Sequence, residues 1–157
     1  MNGEAQTTKT MIQVHTRLQG VDYIFLDEIS MLSCHDMYKI SAQLCKVMNE
    51  PTIPFGGLNI LVAGDFGQLP PPIGGENVAL YSRTVGVYGT KNKWQEEALG
   101  RALWHQVTTV VILRQNMRQR QQSKDDNKLR EALKNMRHKD CTLEDIQFLR
   151  THITSQW

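Results

Sequence analysis

The sequence VDYIFLDEISM, residues 21–31, is an apolar stretch that stops at two adjacent acids. Within it, residues 21–26 are mostly aromatic, β-branched or aliphatic, which predicts a short buried strand. Residues 58–63 (LNILVA) and 107–113 (VTTVVIL) have the same character, and a glycine or a charged residue follows each of them directly. We therefore expect three buried strands with polar groups at their carboxyl ends.

Four further segments have the features of helices. Ser33 and Asp36 have the spacing of a capping box, and apolar residues then recur on one side of the predicted helix. Residues 94–104 and 125–139 are also predicted to be helical, the second because acids occupy its first turn. A last helix begins at Thr142. Strands that alternate with helices indicate an α/β fold, built on a parallel sheet with flanking helices over its faces.

The composition excludes several classes of protein. The chain has 157 residues, of which 40% are hydrophobic and 22% charged, as in a single globular domain. No apolar run approaches the roughly 18 residues that a membrane helix requires, and the first 20 residues lack a secretory signal. Three cysteines without CxxC spacing argue against disulfides and a cysteine zinc site. We expect no membrane partner and an intracellular location.

Charge is unevenly distributed along the chain. Residues 1–80 carry a formal net charge of −4, and residues 81–157 carry +6. Nine basic and three acidic residues lie between Arg114 and Lys139. Such an excess is typical either of a solvated helix face or of contact with the phosphates of a nucleotide or nucleic acid, and both interpretations stay open.

Asp27 and Glu28 follow the first predicted strand directly. In parallel sheets, ligands bind at the carboxyl ends of the strands. An acidic pair there suits a magnesium site, in which one carboxylate holds the hydrated ion and the next orients a water. The same pair also suits the start of an ordinary polar loop.

The other two strand ends carry groups that suit phosphate. Residues 64–71 (GDFGQLPP) predict a stiff loop with a tight exit from the second strand, which could hold Gln68 toward a phosphate oxygen or have no ligand. Arg118 follows the third strand and could bind phosphate oxygens bidentately. Arg114 and Arg120 lie close by, so composition does not choose among the three arginines.

Together these stretches resemble the PIF-type (petite integration frequency) DNA helicases of superfamily one, including those of Helitron transposons. Residues 27–31 (DEISM) resemble the Walker B motif, and residues 64–71 resemble the third helicase motif. Residues 117–119 (MRQ) resemble the arginine-bearing fourth motif. Their order and separation also agree. The resemblance implies a RecA-like P-loop NTPase fold.

The resemblance also implies a role for each of these residues. Asp27 would coordinate the Mg²⁺ of Mg-ATP, and Glu28 would polarise the attacking water. Gln68 would sense the γ-phosphate, and Arg118 would act like an arginine finger. The family binds single-stranded or forked DNA and unwinds DNA from five-prime to three-prime, in repair, recombination or transposition. The resemblance therefore also implies a nuclear location.

The phosphate-binding loop GxxxxGK[ST] has no convincing match. Residues 3–10 (GEAQTTKT) keep its first glycine, its lysine and its threonine, but Thr8 replaces the second glycine and no strand precedes them. We therefore divide the chain into an N-terminal segment, residues 1–20, and a partial RecA-like motor domain, residues 21–157. The P-loop strand would lie between the second and third predicted strands, so we expect an exposed or badly filled seam there unless residues 9–19 or loop 73–93 cover it.

Three functions are compatible with the sequence. The first is an ATP-dependent DNA helicase, of which this chain alone is inactive. The second is a catalytically dead, helicase-derived fragment that serves as a binding module. The third is a metal-dependent phosphodiesterase with Asp27, Glu28 and Asp65 around a divalent ion.

Overall fold

A computed structural model describes residues 2–85, 92–113 and 123–151, with side chains described from Thr10 onward. The chain divides into two compact units, Met1–Val110 and Val111–Trp157. The described elements are, in chain order, α1 (Asn2–Leu18), β1 (Tyr23–Leu26), α2 (Cys34–Met48), β2 (Asn59–Val62), α3 (Asn92–Trp104), α4 (Lys124–His138) and α5 (Leu143–Thr151). None of these helices is long and apolar enough to cross a membrane.

Strands β1 and β2 pair in parallel, as predicted, with Leu26 opposite Val62. One face of this two-stranded sheet packs on the core of the first unit, where Ile29, Cys34 and Met37 are at most 2% exposed. On the other face three large apolar side chains remain more than half exposed: Tyr23, Phe25 and Leu61. The prediction that both faces are covered is therefore wrong for the described part of the chain.

The prediction of a third strand over residues 107–113 is also wrong, because these residues form no strand in the structure. Val110, Val111, Ile112 and Leu113 are 71–90% exposed. A strand exists only when a neighbour bonds its backbone N–H and C=O groups. Within the described ranges no strand pairs with this segment, and β2 pairs with β1 alone. In the described part of the chain the edge of β2 away from β1 therefore has no strand partner.

Helix α2 has the capping box that the sequence predicted. The Ser33 hydroxyl accepts the Asp36 N–H at 3.1 Å, and the Asp36 carboxylate accepts the Ser33 N–H at 3.1 Å. Helix α3 packs closely on α2, since a Cβ on Gly100 would overlap the Cys34 carbonyl oxygen. The His35 ring and the Glu96 carboxylate add a 2.8 Å contact between these two helices.

Helix α1 was not predicted, and it contains residues 3–10. Those residues therefore form no glycine-rich loop ahead of a helix, which is the geometry that cradles phosphate. Farther along α1, the His15 ring donates a 2.9 Å hydrogen bond to the Val47 carbonyl of α2. The N-terminal segment thus serves as a structural helix against α2.

The second unit contains α4 and α5, both predicted to within about one residue at the start. Asp145 lies in the first turn of α5 and is 9% exposed. Its carboxylate accepts hydrogen bonds from the Asn135 side chain at 2.8 Å and from the Thr142 N–H at 2.9 Å. These two bonds, that from Asn135 foremost, lower the pKa of Asp145 below its usual 3.8. Asp145 thereby ties the end of α4 to the start of α5.

We expect Asp145→Asn to lower the free energy of unfolding of the second unit at about pH 7, because the charged acceptor of two hydrogen bonds is lost. A carboxylate with a lowered pKa stabilises the fold above its unfolded pKa of 3.8 and loses that effect as the pH falls through its folded pKa. The difference from wild type should therefore vanish in acid. Urea unfolding followed by circular dichroism at several pH values measures it. Asp140→Asn is the control, and a difference that persists in strong acid would contradict the assignment.

Burial raises the pKa of the Cys34 thiol to about 11, and its side chain is inaccessible. Cys141 is exposed. Because only an accessible thiolate alkylates quickly, iodoacetamide at about pH 8 should modify Cys141 within minutes and Cys34 only after unfolding. Mass spectrometry of peptides from native and urea-treated protein checks this expectation. Equal rates at the two cysteines in native protein would contradict the packing described for α2.

Candidate active site

The carboxyl ends of β1 and β2 are joined by two backbone hydrogen bonds. The Ala63 N–H donates to the Leu26 carbonyl at 2.8 Å, and the Ile29 N–H donates to the Ala63 carbonyl at 2.9 Å. Asp27 and Glu28 lie between Leu26 and Ile29, and Gly64 follows Ala63 just beyond the end of β2. The structure therefore brings the acidic pair and the start of the glutamine loop to one edge of the sheet, as the sequence predicted.

The acidic pair is held in an unusual backbone conformation. Glu28 has φ 52° and ψ 42°, in the left-handed region, where a residue with a side chain costs on the order of 1 kcal/mol. This conformation turns the chain from β1 into a short 3-10 helix, Ile29–Met31. The Glu28 N–H donates to the Asp27 carboxylate at 2.9 Å, and both side chains face solvent. The acidic pair thus lies on a defined turn and is accessible to a ligand.

Gly64 allows the two strand ends to approach each other. A Cβ at this position would lie 2.8 Å from the Ile29 nitrogen and 2.9 Å from the Ile29 Cγ2. Both distances are shorter than the non-bonded contacts that Cβ atoms make in proteins. The tight exit that the sequence predicted at Gly64 is therefore required by the neighbouring turn that carries Glu28.

Gln68 projects from a turn that its own loop stabilises. The Asp65 carboxylate accepts the Gly67 N–H at 2.9 Å, and the Asp65 carbonyl accepts the Gln68 N–H at 3.0 Å. Farther along, Pro71 is buried and its carbonyl accepts the Gly75 N–H at 3.2 Å. The Gln68 side chain is exposed, so the loop can present its amide to a ligand. In the described structure no hydrogen bond links this amide to the acidic pair.

Arg118, the fourth predicted site residue, lies outside the described residues, as do Arg114 and Arg120. Its role as an arginine finger stays a prediction. The structure thus brings Asp27 and Glu28 together with Gly64, at the start of the loop that carries Gln68, and does not test Arg118.

The acidic pair suits magnesium bound together with a phosphate ligand. Mg²⁺ keeps several waters and takes one or two carboxylates beside substrate phosphates, so the accessible carboxylate of Asp27 fits it. A metal site built by protein alone needs more ligands. Across the described ranges no group of three or more His, Cys, Asp or Glu side chains could hold a metal ion. Asp27, Glu28 and Asp65 therefore lack the grouping that the phosphodiesterase alternative requires.

Sequence patterns did not single out Phe66, which lies two residues before Gln68. Its ring packs against Tyr81 and Trp104, far away in sequence. An aromatic side chain between Asp65 and Gly67 is the one sequence signal that points to it.

Replacing Gly64 with alanine should disturb the acidic pair. The added methyl group would push Ile29 away and weaken the bond from its N–H to the Ala63 carbonyl. We expect a loss of about 1–3 kcal/mol in the free energy of unfolding, as for other overpacked sites. Thermal melting measures this loss. Gly20→Ala is the matched control, because Gly20 also has a positive φ but open space around it. An equal loss in the two variants would show that backbone strain, and not contact with Ile29, is responsible.

Known proteins with similar sequences were identified. The sequence profile of a family described as PIF1-like helicase matches residues 3–139. The ATP-dependent DNA helicase Pif1 of Psychrobacter sp. (strain PRwf-1) is 46% identical over 55 residues, which make up 35% of this chain and 8% of that protein. The ATP-dependent DNA helicase PIF1 of Danio rerio is 39% identical over 57 residues, or 36% of this chain and 9% of that protein. The matching segments thus span less than a tenth of either relative's length.

Two solved structures share the fold. A crystal structure of Bacteroides Pif1 bound to ssDNA gives a TM-score of 0.55 at 23% identity, over 90% of this chain and 31% of that chain. A structure of two coordinating Pif1 helicases at forked dsDNA gives a TM-score of 0.57 at 22% identity. The match covers 91% of this chain and 32% of that chain. These similarities confirm the predicted α/β fold of the RecA-like type. Since the family profile covers most of the sequence, the chain belongs to the PIF1-like helicase family.

Proposed function

We propose that this protein contributes most of a first motor domain to an ATP-dependent DNA helicase, and that the 157-residue chain alone does not unwind DNA. The observation that carries the proposal is the bond from the Ile29 N–H to the Ala63 carbonyl. This bond holds the acidic pair and the start of the glutamine loop at one sheet edge. Family membership supports the same reaction, because the similar curated proteins are named ATP-dependent DNA helicases.

In this proposal the acidic pair has two separate tasks. Asp27, whose carboxylate already accepts the neighbouring N–H, contributes a ligand to Mg²⁺. Glu28 accepts a proton from a water and orients that water for attack on the terminal phosphate. Bound Mg-ATP supplies the phosphoanhydride bond whose hydrolysis releases the energy for unwinding.

Gln68 and Arg118 act on the phosphate from other directions. The Gln68 amide donates a hydrogen bond to a γ-phosphate oxygen, so the loop changes its contacts when that phosphate leaves. Arg118 places a guanidinium against the charge that develops on the transferred group. The loop that carries Gln68 thereby couples hydrolysis to movement along DNA.

The partner in this proposal is single-stranded or forked DNA. Bacteroides Pif1 was solved bound to ssDNA, and another Pif1 structure concerns forked dsDNA. We extend the proposal to translocation from five-prime to three-prime, to repair, recombination or transposition, and to a nuclear location. The basic excess between Arg114 and Lys139 supports contact with phosphates.

A second candidate is a catalytically dead, helicase-derived binding module. Residues 3–10, which come nearest to a phosphate-binding loop, are part of helix α1. The chain's described residues thus offer Asp27 for magnesium but no glycine-rich cradle for the phosphates. This observation favours the second candidate for the chain by itself.

A fusion distinguishes the two candidates. The part of the Psychrobacter helicase that precedes its matching segment is joined to residue 21, in place of residues 1–20, and ATP hydrolysis is measured with Mg²⁺. The chain alone should show no hydrolysis, and the fusion should be active. Glu28→Gln should lower kcat of the fusion by about 100-fold or more, the usual effect of removing a general base. Glu50→Gln, an exposed acid away from the site, serves as the control.

Each result decides one part of the proposal. A fusion that keeps its full kcat with Glu28→Gln would disprove the role of Glu28. A folded fusion without any ATPase activity would instead favour the binding module. Hydrolysis by the chain alone, abolished by Glu28→Gln, would show that no added phosphate loop is needed.

A further inference from the structure

We propose that Phe66 is a positioning residue that fixes the loop carrying Gln68 to helix α3, an inference that rests on the role proposed above for Gln68. The Phe66 ring lies edge-on to Tyr81, with centroids 5.4 Å apart and an interplanar angle of 78°. It lies edge-on to Trp104 as well, at 5.7 Å and 74°. Both pairs have the separation and tilt that aromatic rings prefer.

Helix α3 holds both partners of Phe66. Trp104 is the last residue of α3. Tyr81 lies just ahead of a segment that α3 also holds, because one Arg101 guanidinium nitrogen donates to the Arg83 carbonyl at 3.2 Å and to the Val85 carbonyl at 3.1 Å. Helix α3 therefore contains one aromatic partner of Phe66, Trp104, and bonds the segment that follows the other, Tyr81.

That helix is in turn fixed to the core. Gly100 of α3 touches the Cys34 backbone of α2, and His35 pairs with Glu96. The contacts thus run from α2 to α3, from α3 to the aromatic cluster (Phe66, Tyr81 and Trp104), and from the cluster to the glutamine loop. A site residue is positioned most sharply when its support is packed onto regular elements in this way.

The loop has a second attachment beyond Gln68. Pro71 is buried, whereas Gln68 and Leu69 between the two attachments are exposed. The Asp65 turn shapes this exposed part, because the Asp65 carboxylate and carbonyl accept the Gly67 and Gln68 N–H groups. Phe66 lies directly beside this turn, and its contacts with Tyr81 and Trp104 attach the turn to α3.

Phe66 is 43% exposed, as is Tyr81. Loss of the ring should therefore remove little buried area from the core and leave the sheet and its acidic turn intact. The expected result is a local effect, in which the Gln68 turn loosens while global stability changes little. A residue that merely contributed to the core would weaken all regions together.

Hydrogen exchange of the full chain tests the inference without nucleotide. Phe66→Leu should raise the exchange rates of the Gly67 and Gln68 amides by about tenfold or more and leave those of α2 unchanged. The Gln68 side-chain amide should also move toward its free chemical shift in NMR spectra. Phe66→Tyr, which keeps the ring, should restore both readouts. Leu69→Ala removes an exposed side chain from the same loop and should change neither.

Unchanged exchange at Gly67 and Gln68 in Phe66→Leu would overturn the inference, and so would an equal rise throughout α2. If Phe66→Leu does not fold, Tyr81→Leu removes one ring contact from the opposite side and must give the same local loosening. The proposed function can fail separately. If a fusion with Gln68→Ala hydrolyses ATP normally, the role proposed for Gln68 is wrong. Hydrogen exchange then still decides whether Phe66 anchors the loop.

Discussion

The hydrogen bond from the Ile29 N–H to the Ala63 carbonyl joins the two chain segments from which the candidate site is built. It continues the parallel pairing of β1 and β2 by one step beyond the sheet. It also sets the turn at which Glu28 takes its left-handed conformation. Gly64 is required because a side chain there would occupy the space that this bond needs. The acidic pair and the glutamine loop share an edge only while these contacts persist.

The rest of the first unit supports that edge from one side. Helices α2 and α3 pack through the close approach at Gly100, and Cys34 and Met37 are almost fully buried below the sheet. The aromatic contacts of Phe66 extend this support to the glutamine loop. The site is thus attached to the best-packed part of the molecule, although its own side chains face solvent.

The other side of the sheet is much less covered. Tyr23 and Phe25 are each 62% exposed on that face, and Leu61 is 52% exposed. Burial of apolar area contributes roughly 25 cal/mol per Å², so an uncovered face forgoes much of the stabilisation usual for a parallel sheet. Unpaired edges with apolar neighbours also favour association between strands of different molecules. We therefore expect limited stability from the isolated chain.

Local sequence patterns located most of the elements. The apolar runs located β1 and β2, and the capping pairs that start at Ser33 and Thr142 located α2 and α5. Helix α1 was not predicted, because its first residues, NGEAQTTKT, are mostly polar and have no apolar periodicity. The motif strings likewise located Asp27, Glu28 and Gln68, but they contained no sign of the anchor at Phe66.

By itself the sequence determined strands β1 and β2 and helices α2 to α5, since periodicity and capping act over a few neighbouring residues. It also determined which polar groups follow each strand. Tertiary structure alone decided that residues 107–113 form no strand, because a strand needs a partner that those residues cannot supply. It likewise decided the conformation of Glu28 and the anchoring of Phe66, because both depend on atoms that only folding brings within contact distance.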